Sequence, residues 1–136
     1  MYEYIKGRVA AISADHVVLE NNGIGYRIFT SVNTMARLNV NDKDVIMHTY
    51  LHVREDIMVL YGFADKEELS LFNMLIGISG IGPKAGLSIL SSFTPRAVAL
   101  AIAGNNPGEL SKAKGIGKKT AERIILELKD KFKAIE

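Results

Sequence analysis

The sequence predicts an α+β chain in which a small β-barrel of five short strands precedes an all-helical region. Three features of the 136 residues carry this expectation: apolar residues alternate with period two up to about residue 63, the period turns helical after Gly62, and a glycine-centred segment recurs 35 residues after itself. The expected division is residues 1–63 and 64–136. No Ser/Pro-rich linker separates the two.

The strands come first. "YEYIKGRVAAIS", "HVVLE", "GYRIFTS", "DVIMHTYLHV" and "IMVLYGF" read as the five, with turn material such as "NNGIG" and "NVNDKD" between them. In the fourth, Val45, Met47, Thr49, Leu51 and Val53 fall on one face and Ile46, His48, Tyr50 and His52 on the other, the pattern of a half-buried strand. Five strands within about 60 residues suit a barrel of the OB type, a fold often used on nucleic acid. The fold alone assigns no function.

The helices announce themselves by their caps. Asp65 with Glu68 reads as a capping box opening a helix whose Leu69, Phe72, Leu75 and Ile76 recur at helical spacing. Thr94 caps the next but one, with Pro95 at its first position, where a missing N–H costs nothing. Asn106, Pro107 and Glu109 repeat the device. In the last helix Ala121, Ile124, Ile125, Leu128 and Phe132 form one apolar stripe. Leu126 lies off it, as a lone exposed leucine or a contact with another subunit.

The internal repeat bears most directly on function. Shifted by 35 residues, "GIGPKAGLSIL" lies on "GIGKKTAERII", matching Gly80 with Gly115, Ile81 with Ile116, Gly82 with Gly117 and Lys84 with Lys119. Gly86, Ile89 and Leu90 map onto Ala121, Ile124 and Ile125, so the apolar phase agrees as well. Each copy is helix, glycine hairpin, helix, and two copies can pack about a pseudo-two-fold axis. Glycine permits backbone angles closed to other residues and lets another molecule approach the main chain. The helix that follows each turn presents unpaired N–H groups and a positive dipole end beside Lys84, or beside Lys118 and Lys119. That combination suits phosphate, held by charge and backbone geometry and not by base identity. A single Gly-x-Gly is as readily a plain tight turn; two copies with lysines in register are not.

Two nucleotide motifs fail. "GKKT" lacks the earlier glycine of a P-loop, position 112 being lysine. "GIGPKA" fits G-x-G-x-x-A, but what precedes it is helical, and no acid stands about 20 residues on.

Composition agrees with a nucleic-acid partner without requiring one. Residues 1–76 hold 7 Lys/Arg against 10 Asp/Glu, net −3, whereas residues 77–136 hold 10 against 5, net +5. The absence of cysteine excludes disulfides and cysteine-based zinc sites. With no secretory leader and no apolar run of about 18 residues, the expected location is cytoplasmic, with no membrane partner.

Two carboxylates remain. "VREDIMVLYGF" puts Arg54, Glu55 and Asp56 at the turn between the last two strands. A metal-dependent, structure-specific nuclease is one reading, but two-metal nucleases gather several carboxylates and no convincing third ligand lies nearby. A solvated hairpin tip is another; a third is a fixed negative charge that repels phosphate from one place. His48 and His52 stand four residues apart on a strand, about 13 Å, too far to share a zinc ion. With Tyr50 they are expected to form a polar or interface face. No catalytic residues, cofactor or metal are expected.

"VREDIMVLYGF", "LFNMLIGISGIGPKAGLSIL" and "GIGKKTAERIILELKDKF" together resemble the RuvA family of bacterial Holliday-junction-binding proteins, from Met1 to about Lys133. The resemblance implies an OB-like domain joined to a tandem helix-hairpin-helix domain, and four subunits forming a platform that holds a four-way junction open and roughly square-planar, in DNA recombination and repair. It implies that Gly80, Ile81, Gly82, Lys84, Gly115, Ile116, Gly117, Lys118, Lys119 and Arg123 grip DNA backbones across the minor groove. It also implies that Glu55 and Asp56 are an acidic pin at the centre, and that Leu126 lies where some members pair two tetramers into an octamer. The implied partners are the junction, the RuvB ATPase motor and the RuvC resolvase.

Two departures are visible. Ala113 and Lys114 replace a larger apolar residue and proline, which adds a cation and would loosen the approach to the second hairpin. The chain stops at Glu136, before the small third domain through which the family recruits RuvB, so junction binding without effective RuvB recruitment is expected. A generic duplex-binding helix-hairpin-helix module is the remaining alternative.

Overall fold

The computed structural model describes residues 1–135, which fold as two compact units, Met1–Leu69 and a second beginning at Ser70. In the first, β1 (Tyr4–Ile12), β2 (His16–Asn21), β3 (Ile24–Phe29), β4 (Val45–Val53) and β5 (Met58–Phe63) close into a barrel in the order β1-β2-β3-β5-β4. All five expected strands are present. Neighbours run antiparallel except β3 and β5, which are parallel with Phe29 opposite Tyr61. Pairing of β1 with β4, Ile5 opposite Met47, completes the closure and leaves no open edge.

Alternation explains what fills the barrel. Ile5 and Val9 of β1, Val17 and Leu19 of β2, Ile28, Met47 and Leu60 turn inward and are buried together. Fully burying one such side chain contributes roughly 1.5–3 kcal/mol, so the inward face of each strand is strongly specified.

The opposite face of β4 departs from expectation at His52, which is buried, 7% exposed, and not part of a polar face. Aromatic rings from adjacent strands cover it. His16 and Phe29 have ring centroids 5.3 Å apart, Phe29 and Tyr61 6.1 Å, Tyr61 and His52 6.2 Å, and His52 and Tyr50 5.8 Å, a continuous row over four strands. The Tyr50 hydroxyl lies 3.2 Å from His52 Nδ1. Burial, and secondarily the nearby Arg54 charge, push the His52 pKa below its ordinary value; burial, and secondarily Tyr50, raise that of Tyr61.

A short helix, α1 (Val32–Met35), follows directly on "GYRIFTS", whose strand stops at Phe29, two residues before that segment ends. The strand ends at Phe29 because Ser31 offers its hydroxyl to the Thr34 N–H, 3.1 Å away, and so caps a helix. Helix α2 (Lys66–Ile76) begins where expected, and its Glu68 reaches this same region of the barrel. Its buried carboxylate accepts hydrogen bonds from Ser31 Oγ at 2.8 Å and Thr34 Oγ1 at 2.6 Å. Asp65 accepts from Arg37 at 2.6 Å, a contact that raises the Arg37 pKa.

The rest of the chain is helical: α3 (Pro83–Ser92), α4 (Pro95–Ala103), α5 (Pro107–Leu110) and α6 (Lys118–Ile135). Thr94 Oγ1 accepts from the Ala97 N–H at 3.1 Å and Asn106 Oδ1 from the Glu109 N–H at 3.2 Å, both as expected. Phe72, Leu75, Ile89, Leu90, Ile124 and Leu128 are fully buried. Gly86 is small for a packing reason: a Cβ there would stand 3.2 Å from the Phe72 ring. Among the described residues no single helix is long and apolar enough to cross a membrane.

Candidate nucleic-acid interface

The two glycine hairpins share one geometry. At the first, Gly80 has φ +88°, the Ile81 N–H donates to the Ile78 carbonyl at 3.0 Å, and the Gly86 N–H donates to the Gly82 carbonyl at 3.0 Å. At the second, Gly115 has φ +79°, Ile116 donates to Ala113 at 3.1 Å, and Ala121 donates to Gly117 at 2.9 Å. Every one of these positions is related by the 35-residue repeat. Ile81 and Ile116 are buried anchors, while Gly80, Gly82, Gly115 and Gly117 face solvent. The left-handed glycines are required, because a side chain at such φ costs roughly 1–2 kcal/mol.

Beyond each turn a helix begins, with Lys84 exposed on α3 and Lys118 and Lys119 exposed on α6. First-turn N–H groups have no partner within their own helix and point the same way as the positive dipole end. The copies are not equivalent. Pro83 removes one donor at the start of α3, whereas Lys118, its counterpart, keeps the donor and adds a cation.

The structure brings the hairpins together through α6 and α3. Arg123 of α6 places a guanidinium nitrogen 3.7 Å from where a Cβ would lie on Gly80, so the second copy supplies a cation to the first copy's turn. Ser88 Oγ of α3 donates to the Lys114 carbonyl at 2.5 Å. The approach to the second hairpin is thus held despite the absence of a proline there, and Ala113 is buried.

Two charged residues of α6 were not singled out from the sequence. Glu127 pairs with Arg123, Nε to Oε1 at 3.6 Å, and so competes for a cation of the candidate surface. The signal was present as an i, i+4 spacing. Lys131 Nζ lies 3.7 Å from a Cβ position on Gly77, beside the Asn73 and Met74 carbonyls at the end of α2. That helix has no basic residue in its last turn, and Lys131 supplies the complementary charge from α6.

The acidic pair occupies the β4–β5 turn. The Arg54 N–H donates to the Ile57 carbonyl at 2.9 Å and closes the turn, and its guanidinium folds back on the Val53 carbonyl at 2.9 Å. Glu55 and Asp56 are exposed. Among the described residues no group of three or more His, Cys, Asp or Glu could hold a metal ion. Leu126 is 70% exposed on α6, opposite the buried Ala121, Ile124, Ile125 and Leu128.

Comparisons with known proteins divide along the same lines. The model of the RuvA N terminal domain matches residues 1–62, and that of the SAM-like helix-hairpin-helix tandem matches residues 72–130. The Holliday junction branch migration complex subunit RuvA of Acetivibrio thermocellus is 50% identical over 133 residues, 98% of this chain and 66% of that protein. The subunits of the same name from Clostridium acetobutylicum and Clostridium perfringens are 51% and 52% identical over 136 residues, 100% of this chain and 68% of each. The chain spans about two thirds of the length of these curated relatives. With identity of this level running through both the barrel and the paired hairpins, the chain belongs to the RuvA family.

Proposed function

We propose that this chain binds four-way DNA junctions, independently of sequence, as a scaffold that holds the junction open for branch migration driven by a partner ATPase. The observation that carries the proposal is the shared geometry of the hairpins at Gly80 and Gly115, with Arg123 linking them. The relatives' description as branch-migration subunits supports the junction as the target.

In this reading Gly80, Gly82, Gly115 and Gly117 let a DNA backbone approach the main chain, and Ile81 and Ile116 fix the turns from within. Lys84, Lys118, Lys119 and Arg123 meet phosphates beside the helix N-termini. Unit charges 4 Å apart in water attract by only about 1 kcal/mol, so affinity must come from many such contacts and fall steeply with salt. Glu55 and Asp56 act by repulsion, keeping phosphates from the point where strands exchange. Four subunits around a centre of acidic tips would give the arrangement its symmetry, and in this reading the exposed Leu126 makes a contact between such assemblies. The chain carries no catalytic step in this scheme.

Gel-shift titration of the chain with a four-way junction and a matched linear duplex, with and without magnesium, tests this. Tighter binding of the junction without cleavage is expected. Equal affinity for the two contradicts the proposal, and magnesium-dependent cleavage abolished by Glu55→Gln would establish a nuclease instead.

A further inference from the structure

The 35-residue repeat is broken at two related places, and the breaks compensate. Arg123 of α6 stands where α3 has Ser88, and Lys114, just before the second hairpin, stands where Ser79 precedes the first. At the first turn Arg123 reaches across to Gly80 and supplies a flanking cation. The reciprocal position, Ser88, carries no charge, and its hydroxyl donates to the Lys114 carbonyl. Nothing stands within 4 Å of a Cβ position on Gly115 or Gly117, so no side chain of α3 returns the contact to the second turn.

Lys114 fills that place from within the second copy. Its neighbours Ala113 and Ile116 are buried, and the Ser88 bond holds its carbonyl, so the backbone that carries it is fixed while the residue itself is exposed. With Lys118 it brackets Gly115, Ile116 and Gly117, one cation on the way into the turn and one on the way out, whereas Ser79 and Pro83 bracket the first turn without charge. Among the described residues Lys114 enters no ion pair, while Lys112, two residues earlier, is paired with Glu109 at 2.9 Å. An unpaired ammonium beside the positive end of a helix suits a phosphate oxygen.

We propose that Lys114 is a further phosphate-binding residue, the second hairpin's equivalent of Arg123 at the first. The inference rests on the DNA-binding reading above, and it extends the second hairpin's footprint to a phosphate on the entry side of its turn.

Salt titrations of junction and linear-duplex binding by the full chain test it, with wild type, Lys114→Gln, Lys114→Arg and Lys112→Gln side by side. For each subunit bound, Lys114→Gln is expected to lower both affinities about fivefold at low salt and the slope of log affinity against log salt by about one, with the urea midpoint unchanged. Lys114→Arg should keep the wild-type slope. Lys112→Gln removes the same net charge and should keep it too. In the wild type, lysine acetylation read by mass spectrometry should find Lys114 protected by bound DNA as Lys118 and Lys119 are, and Lys112 not. A wild-type slope in Lys114→Gln, equal losses in the two glutamine variants, or a Lys114 as reactive as Lys112 in the complex overturns the inference and leaves the junction reading intact. Equal wild-type affinity for junction and duplex overturns the junction reading instead, and the duplex slopes then still decide the role of Lys114.

Discussion

Arg123 on α6 holds its guanidinium 3.7 Å from the Cβ position of Gly80, so the two hairpins form one cationic surface and not two independent turns. Arg123→Ala should leave thermal stability nearly unchanged, because the side chain is exposed, within about 0.5 kcal/mol. It should weaken junction and duplex binding alike and reduce the slope of log affinity against log salt by about one. Gly80→Ala should do both kinds of damage. Its φ of +88° makes a side chain cost about 1–2 kcal/mol in stability, and the distorted turn loses DNA affinity, measurable by urea unfolding and titration in parallel.

Glu127 sets the opposite expectation. Its pair with Arg123 at 3.6 Å is partly exposed, and such pairs are worth roughly 0.2–1 kcal/mol. Glu127→Gln should therefore cost little stability and raise DNA affinity about two- to threefold, by freeing the guanidinium and removing a negative charge near phosphate. Titration at low salt should show the gain, and added salt should shrink it.

Glu68 holds the barrel's short helix in place. Replacing it with alanine leaves the buried hydroxyls of Ser31 and Thr34 without their acceptor. The expected loss is about 2–3 kcal/mol in urea unfolding, whereas Ser31→Ala, which removes both a cap and one bond to Glu68, should cost about 1–2 kcal/mol.

These contacts mark what the sequence hid. The five strands, the caps at Thr94 and Asn106, and the repeat were legible because each depends on neighbours within a few residues or on a fixed interval. The bonds that Glu68 accepts from Ser31 and Thr34 were not legible, because these donors lie 37 and 34 residues away and local spacing carries no sign of them. The polar face of β4 failed at His52 for the same reason: the ring of Tyr61 that covers it comes from another strand. The hairpin residues of the candidate site were readable one by one. That Arg123 serves the first hairpin required knowing how α6 packs.

His52 gives the barrel a pH dependence whose sign follows from its lowered pKa. The folded state disfavours the imidazolium, so the unfolded chain binds more protons once pH falls below the ordinary histidine value of about 6.5. Stability is unaffected by this group above that value and is lost as pH descends from there through the folded pKa. Urea midpoints at pH 7.5 and 5.5 should therefore fall further apart for the wild type than for His52→Gln. An equal gap in the two proteins would remove His52 as the cause.

The central claim is that the hairpin cations attach the chain to DNA while Glu55 and Asp56 make it distinguish a junction from a continuous duplex. The ratio of junction to duplex affinity, measured side by side for the wild type and Glu55→Gln/Asp56→Asn at fixed salt, tests it most directly. The expected result is a narrower ratio in the variant, arising from tighter duplex binding, with junction binding retained. An unchanged ratio would contradict the role assigned to the acidic tip.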